Sequence, residues 1–184
     1  MNYYGLVLEK NNQTNSILSL VEKIVDFLPE KNNSPLKITL VGGAAIWFYC
    51  ENNNYNEVNA IFSQKILLPQ ISIPLYNNKE LTWGVQYSNS IRLLHDYAED
   101  DTIFIANIKN KINLSILNPI DLAVTKIDRY SEDDKNDIIN LSKKGLIEDS
   151  ILERRVKEAL SYYVGNTRIL NANLKFALES IKQI

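Results

Sequence analysis

Two glycines at the end of a short β-branched run are the first residues in this chain that could do chemistry. Ile38-Thr39-Leu40-Val41 leads into Gly42-Gly43 and then Ala44-Ala45-Ile46-Trp47-Phe48. This is the pattern of a strand feeding a helix through a turn that leaves the backbone open to close approach. Downstream, Glu57-Val58-Asn59 sets a carboxylate and a carboxamide two positions apart, so that on a strand both point to one face. Farther on, Lys126 precedes Asp134 and Asp137; three-residue spacing puts the two aspartates on one helix face, where they could bind an ion or partner Lys126. The alternative is a solvated helix start, with Asp133 and Asp134 favouring the positive end of the dipole. The one histidine, His95, stands beside Asp96 and could act as a general base or serve as a surface or capping residue.

Other chemistries are set aside by what the sequence lacks. It has no Gly-x-Ser-x-Gly elbow, no phosphate loop ending in Gly-Lys-Ser or Gly-Lys-Thr, and no Gly-x-Gly-x-x-Gly, so a hydrolase triad and a dinucleotide fold have no support. Cys50 is the sole cysteine, which rules out an internal disulfide framework and a cysteine-based zinc site within one chain. It reads as a packing residue at a helix end. Trp47, Trp83, Tyr87 and Tyr97 read as core or groove residues rather than a base-stacking platform.

The 184 residues suit one domain, or one domain with a helical appendage. An apolar content of 45% is enough for a substantial core, and a net charge of −2 gives no overall basic footprint for nucleic acid, although a local patch could exist. No apolar run reaches the roughly 18 residues of a membrane span. The first residues, with Glu9 and Asn11-Asn12, do not resemble a signal peptide. The expectation is a cytoplasmic protein with no membrane partner.

The elements that must position these residues follow from hydrophobic periodicity. Ile17, Leu20, Val21, Ile24 and Leu28 predict a helix of about four turns after a Thr14-Asn15-Ser16 cap, ended by Pro29. Lys37 to Val41 reads as a strand, Ala44 to Cys50 as a short helix, Asn52-Asn53-Asn54 as a turn and Glu57 to Phe62 as a second strand. Leu81-Trp83-Val85-Tyr87, Thr102 to Ile105 and Ile112-Leu114-Ile116 add further strands to a sheet expected to be mainly antiparallel. Pro69 and Pro74 confine the segment from Ile66 to Tyr76 to an edge or a loop. After Asn118 the chain turns helical. Asn118-Pro119 with Asp121 forms one start signal and Ser131-Glu132-Asp133-Asp134 a second, while Gly145 and Gly165 mark stops. Ile169, Leu170, Leu174, Leu178 and Ile181 outline a last amphipathic helix.

Several separated segments resemble the DUF6036 group of nucleotidyltransferase-like proteins, which is related to the AbiEii antitoxin family. They are Leu40-Val41-Gly42-Gly43-Ala44-Ala45, Glu57-Val58-Asn59-Ala60-Ile61-Phe62-Ser63, Leu117-Asn118-Pro119-Ile120-Asp121 through Lys126-Ile127-Asp128-Arg129, and Asp134-Lys135-Asn136-Asp137-Ile138. Leu94-His95-Asp96-Tyr97-Ala98-Glu99-Asp100 resembles a segment of one branch of that group. The resemblance covers about residues 36 to 180. It implies an α+β fold with a polymerase β-type mixed sheet in residues 1–117, including an amino-terminal helix, and a helical region at 118–184 packed on it.

The resemblance also implies chemistry. The glycine turn, here Gly42, Gly43 and Ala44, would hold a nucleoside triphosphate through backbone amides, and Lys126 and Asp137 would face the nucleotide. An Asp-x-Asp pair on the next strand would bind two magnesium or manganese ions that polarise the α-phosphate, activate an acceptor hydroxyl and stabilise the leaving pyrophosphate. Here that pair, with its catalytic and metal-binding role, falls on Glu57 and Asn59, so one unit of negative charge is missing. Ala44 or Ala45 stands where a serine often follows the glycines. Asn53 to Asn56 occupy the loop that commonly carries a basic residue, and no third carboxylate occurs between Thr102 and Ile108. Two functions follow: nucleotide transfer to an RNA or protein hydroxyl, or a catalytically inactive binding protein, such as an antitoxin facing a cognate toxin or a phage-defence component.

Overall fold

The structure is a computed structural model that describes residues 12–29, 34–51, 55–68, 70–75, 79–88, 94 and 101–184. His95, Asp96, Tyr97 and the Asn52-Asn53-Asn54 turn lie outside the described residues. The chain forms two compact units: Met1–Asn89 with Thr102–Leu117, and Ser90–Asp101 with Asn118–Ile184. The fold is α+β, with six strands in one mixed sheet and six α-helices among the described residues.

The first unit holds the sheet. Its strands are β1 (Leu36–Val41), β2 (Glu57–Phe62), β3 (Ser72–Pro74), β4 (Glu80–Ser88), β5 (Ile103–Ile108) and β6 (Ile112–Ile116), in the order β3-β4-β2-β1-β6-β5. The sheet is mixed rather than mainly antiparallel: β1–β2, β3–β4 and β5–β6 are antiparallel, while β1–β6 and β2–β4 are parallel. Local hairpin pairing accounts for the antiparallel ladders β3–β4 and β5–β6. The parallel ladders join strands distant in sequence, which a run of alternating residues cannot announce. β3, which contains Pro74, takes an edge position, one of the two places expected for this segment; Pro69 lies outside the described residues.

Helix α1 (Asn12–Glu22) packs on β3 and β4, and a 3-10 turn over Lys23–Phe27 closes it. The helix therefore starts before Thr14-Asn15-Ser16, and Thr14 is buried inside it instead of capping it. Its Ile17, Leu20, Val21 and Ile24 are fully buried, as their spacing requires. Helix α2 (Gly42–Cys50) packs on β1 and β2. Ala44, Ala45, Ile46, Phe48, Tyr49 and Cys50 are buried, and the Tyr49 hydroxyl donates to the Leu117 carbonyl at 2.8 Å.

The second unit is a bundle of α3 (Pro119–Ile127), α4 (Glu132–Lys143), α5 (Asp149–Tyr162) and α6 (Arg168–Lys182). Both start signals read from the sequence are in place. The Asn118 side chain accepts from the Asp121 amide at 2.8 Å, and Ser131 with Asp134 forms a reciprocal capping box. Gly145, at φ +69, follows α4 in the left-handed region. No helix among the described residues is long and apolar enough to cross a membrane.

Candidate functional site

The turn between β1 and α2 is built around a left-handed glycine. Gly42 has a φ of +63, a conformation that side-chain-bearing residues rarely adopt, and it lets the extended strand enter the helix without a linker. Space is tight at Gly43: a Cβ there would lie 3.2 Å from the Cβ of Tyr55, whose ring meets Trp47 at 6.5 Å, so Tyr55 would have to give by a few tenths of an ångström. Ala44 is fully buried, backbone included, so the part of the turn open to a ligand is Gly42 and Gly43, which are half-buried.

β2 runs antiparallel to β1, with Asn59 opposite Val41, the residue before the turn. Glu57 is exposed and Asn59 half-buried on the same face. The Asn59 amide nitrogen lies 3.4 Å from the point a Cβ of Gly42 would occupy. Its oxygen points to the other side, where it would collide with a Cβ on Gly84 of β4. Glu57 Oε2 reaches to 3.2 Å of that same point. The carboxylate and the carboxamide oxygen therefore converge above Gly84, and Asn59 spans the gap from Gly84 to the glycine turn. Gly84 sits where the β2–β4 register shifts between Val58 and Ala60, so the irregularity and the missing side chain together admit Asn59.

The strand next to β2 is β4, and it brings Thr82 opposite Glu57 and Gly84 beside Asn59, neither of them a carboxylate. Among the described residues no group of three or more His, Cys, Asp or Glu could hold a metal ion. A groove of about 500 Å³ opens beside this strand, lined in part by Ser72, Glu80, Thr82 and Trp83. Trp83 packs against Phe62 with ring centroids 5.7 Å apart, which fits the core-or-groove reading for this residue.

Lys126 and Asp137 lie in the helical unit, joined to each other. Lys126 Nζ sits 2.7 Å from Asp137 Oδ2 and 3.2 Å from Asp134 Oδ1, with its side chain 11% exposed. Asp134 is buried, not solvated, because Arg129 clamps it through two nitrogens at 2.7 and 3.0 Å and Ser131 donates to it from its amide and hydroxyl. Burial alone would raise the Asp134 carboxyl, but the bonds from Arg129 and Ser131 and the charge of Lys126 override it and bring it down to about 2. The same contact with Asp134 raises Arg129 above its ordinary value. Two cations and two carboxylates thus neutralise one another within the bundle. A second buried pair, Arg155 Nε to Asp121 Oδ1 at 2.7 Å, ties α5 to the start of α3.

Two residues escaped the sequence reading. Gly84 carries the signal of an isolated glycine within a strand, which points to a bulge or close approach. Arg155 carries none, since its partner lies 34 positions away.

A mixed sheet whose first strand turns through Gly-Gly into a helix, followed by polar residues on the next strand and a helical bundle, defines a nucleotidyltransferase-like fold. Residues 16–183 match the family described as "Nucleotidyltransferase of unknown function (DUF6036)", and the chain belongs to that family. Among solved structures it is similar to an antigenic nucleotidyltransferase-like protein from Paracoccidioides brasiliensis, with 12% identity, a TM-score of 0.46, and 95% of this chain and 94% of that chain covered. No curated protein matches significantly.

Proposed function

We propose that this protein binds a nucleoside triphosphate on a nucleotidyltransferase fold whose transfer chemistry has been weakened or lost. Gly42 and Gly43 seat the phosphates, with Ala44 buried behind them, and the polar face of Glu57 and Asn59 borders them. One observation carries this reading: the glycine turn is left-handed at Gly42, while among the described residues the crevice beside it brings the Glu57 carboxylate together with a carboxamide packed against two glycines. In kinship with AbiEii-like proteins, such a protein would act in the cytoplasm as an antitoxin or phage-defence component, holding a cognate toxin as its partner.

The family description and the exposed carboxylate of Glu57 favour a second reading, nucleotide transfer to an RNA or protein hydroxyl. In it Glu57 and Asn59 would hold magnesium or manganese. A nucleotide-facing role for Lys126 and Asp137 requires their 2.7 Å ion pair to open.

Calorimetry with ATP, GTP, CTP and UTP, followed by labelling with magnesium or manganese and total RNA or a partner protein, separates the readings. The first expects binding without a labelled product. A product that disappears in Glu57→Ala establishes the second. No binding of any of the four nucleotides rejects both.

A further inference from the structure

At the end of the sheet where β1 begins, the register lines up polar side chains on one face. Lys37 stands opposite Asn113 of β6, and Asn113 opposite Asn107 of β5, whose amide nitrogen donates to the Asn113 oxygen at 2.7 Å. On the other side of Lys37 the chain leaving β2 is tied on through Ser63, whose amide donates to the Lys37 carbonyl and whose hydroxyl accepts from the Lys37 amide. Two further lysines flank this row: Lys65, two residues past Ser63, and Lys111, two residues before Asn113. The Lys111 carbonyl accepts from the Leu36 amide at 2.8 Å, which holds Lys111 beside the start of β1. Lys37 and Lys65 are exposed and Lys111 is half-buried. Lys109, at the β5–β6 turn, is paired with Glu22 at 2.7 Å and feels Asp26 as well, so its charge is spent within the chain.

The next row on this face carries an aromatic ring. Phe104 of β5 lies opposite Ser115, two residues along β6 from Asn113, and is 59% exposed. In a regular strand Phe104 and Asn107 would point to opposite faces, and the ring would join the buried Ile112, Leu114 and Ile116. The register shift between Phe104 and Ala106 turns it instead to the face of Lys37 and Asn113.

We infer that this end of the sheet binds single-stranded nucleic acid, with Lys65 and Lys111, on either side of Lys37, meeting phosphates and a base stacking on Phe104. Although the chain as a whole is slightly acidic, at −2, these lysines gather at one place. An exposed ring on a sheet face beside lysines joins the two contacts that hold a strand without reading its sequence: charge for the backbone and a flat apolar surface for an unstacked base. The row from Ser63 to Asn107 crosses four strands, a span of about 15 Å, which accommodates a short run of nucleotides. The inference goes beyond the nucleotide reading and does not depend on it, because Lys37 lies at the opposite end of β1 from the glycine turn.

The test is fluorescence anisotropy of the full chain with a labelled oligouridylate of about 20 nucleotides and its oligothymidylate counterpart, at about 50 and about 200 mM salt. Binding is expected at the lower salt and is expected to weaken about tenfold at the higher, the slope of about two or three phosphate contacts. Phe104→Ala is expected to lower affinity about fivefold or more at either salt, since stacking is not screened. Lys65→Glu with Lys111→Glu is expected to lower it at least as far and to flatten the salt dependence. Lys143→Glu with Lys144→Glu, at exposed positions of the helical unit, should leave it unchanged. A preference between the two oligonucleotides names the sugar, and equal binding names a single strand of either kind. Absence of binding at the lower salt overturns the inference. So does binding that Phe104→Ala and the lysine reversals leave intact. An oligoglutamate peptide that competes as well as the oligonucleotides also overturns it, and makes the face a dock for an acidic protein. Lys65→Gln, in the exposed segment after β2, gives a smaller loss of the same sign and keeps the test decisive if the double reversal does not fold.

Discussion

Asn59 and Gly84 meet across the parallel strands β2 and β4 so closely that a methyl group on Gly84 would run into the Asn59 amide oxygen. The pair fixes where the polar end group of β2 points, and Glu57 Oε2 comes to the same spot. Gly84→Ala is therefore expected to cost about 1–3 kcal/mol through forced displacement of Asn59. It should also weaken nucleotide binding by turning the carboxamide away from Gly42. Urea denaturation together with calorimetry checks both effects; unchanged stability would show that Asn59 repacks freely.

Gly42→Ala and Gly145→Ala form a matched pair. Both glycines lie in the left-handed region, at φ +63 and +69, so each alanine is expected to cost about 1–2 kcal/mol in backbone strain. A Cβ on Gly145 would meet nothing within 4 Å, whereas one on Gly42 would lie against the Asn59 side chain. Binding of nucleotide should fall in Gly42→Ala and stay the same in Gly145→Ala. Equal binding by both variants would remove the turn from the site.

Lys126→Met should be among the most damaging changes in the helical unit. It leaves Asp134 and Asp137 facing each other inside the bundle without the cation between them, and removal of one partner from a buried ion pair costs about 3–5 kcal/mol. Thermal denaturation measures this directly. If stability is untouched while nucleotide affinity drops, the ion pair is open in solution and Lys126 belongs to the ligand.

Asp134 gives the bundle a dependence on acid. Its carboxyl is held at about 2, below the ordinary 3.8, so the folded state favours the ionised form. The resulting stabilisation, about 2 kcal/mol, is fully present above pH 3.8 and is lost as the pH falls toward 2. The stability difference between the natural chain and Asp134→Asn should shrink over that interval. A constant difference from pH 6 to pH 2 would contradict the linkage.

Much of the fold is legible in the sequence where the signal is local. The β-branched run ahead of Gly42, the Asn118 cap with Pro119 and Asp121, and the Ser131 capping box each involve neighbours in the chain, and each stands where the residues place it. What escapes is decided between distant segments. The parallel pairing of β2 with β4 gives Gly84 its importance, and nothing near Gly84 in sequence identifies Asn59 as its neighbour. Asp134 illustrates the same limit differently: its spacing leaves open a solvated helix start or a partner for Lys126, and the structure adds to the Lys126 contact the clamp of Arg129 that the spacing does not announce. The arrangement of Glu57 and Asn59 on one strand face was visible from their spacing, but the direction of the Asn59 amide was not.

The hydrogen bond from Tyr49 to the Leu117 carbonyl has a consequence for recognition at the opposite end of the same helix. Tyr49 is buried close to the carboxyl end of α2, and the helix closes with Glu51 in the left-handed conformation, its amide bonded to the Trp47 carbonyl. With Ala44, Ala45 and Ile46 seated in the core, the first turn of the helix is anchored from beneath, and Gly42 and Gly43 are what it leaves partly open. A ligand that docks there encounters groups already oriented, and little of its binding energy is consumed in ordering the protein.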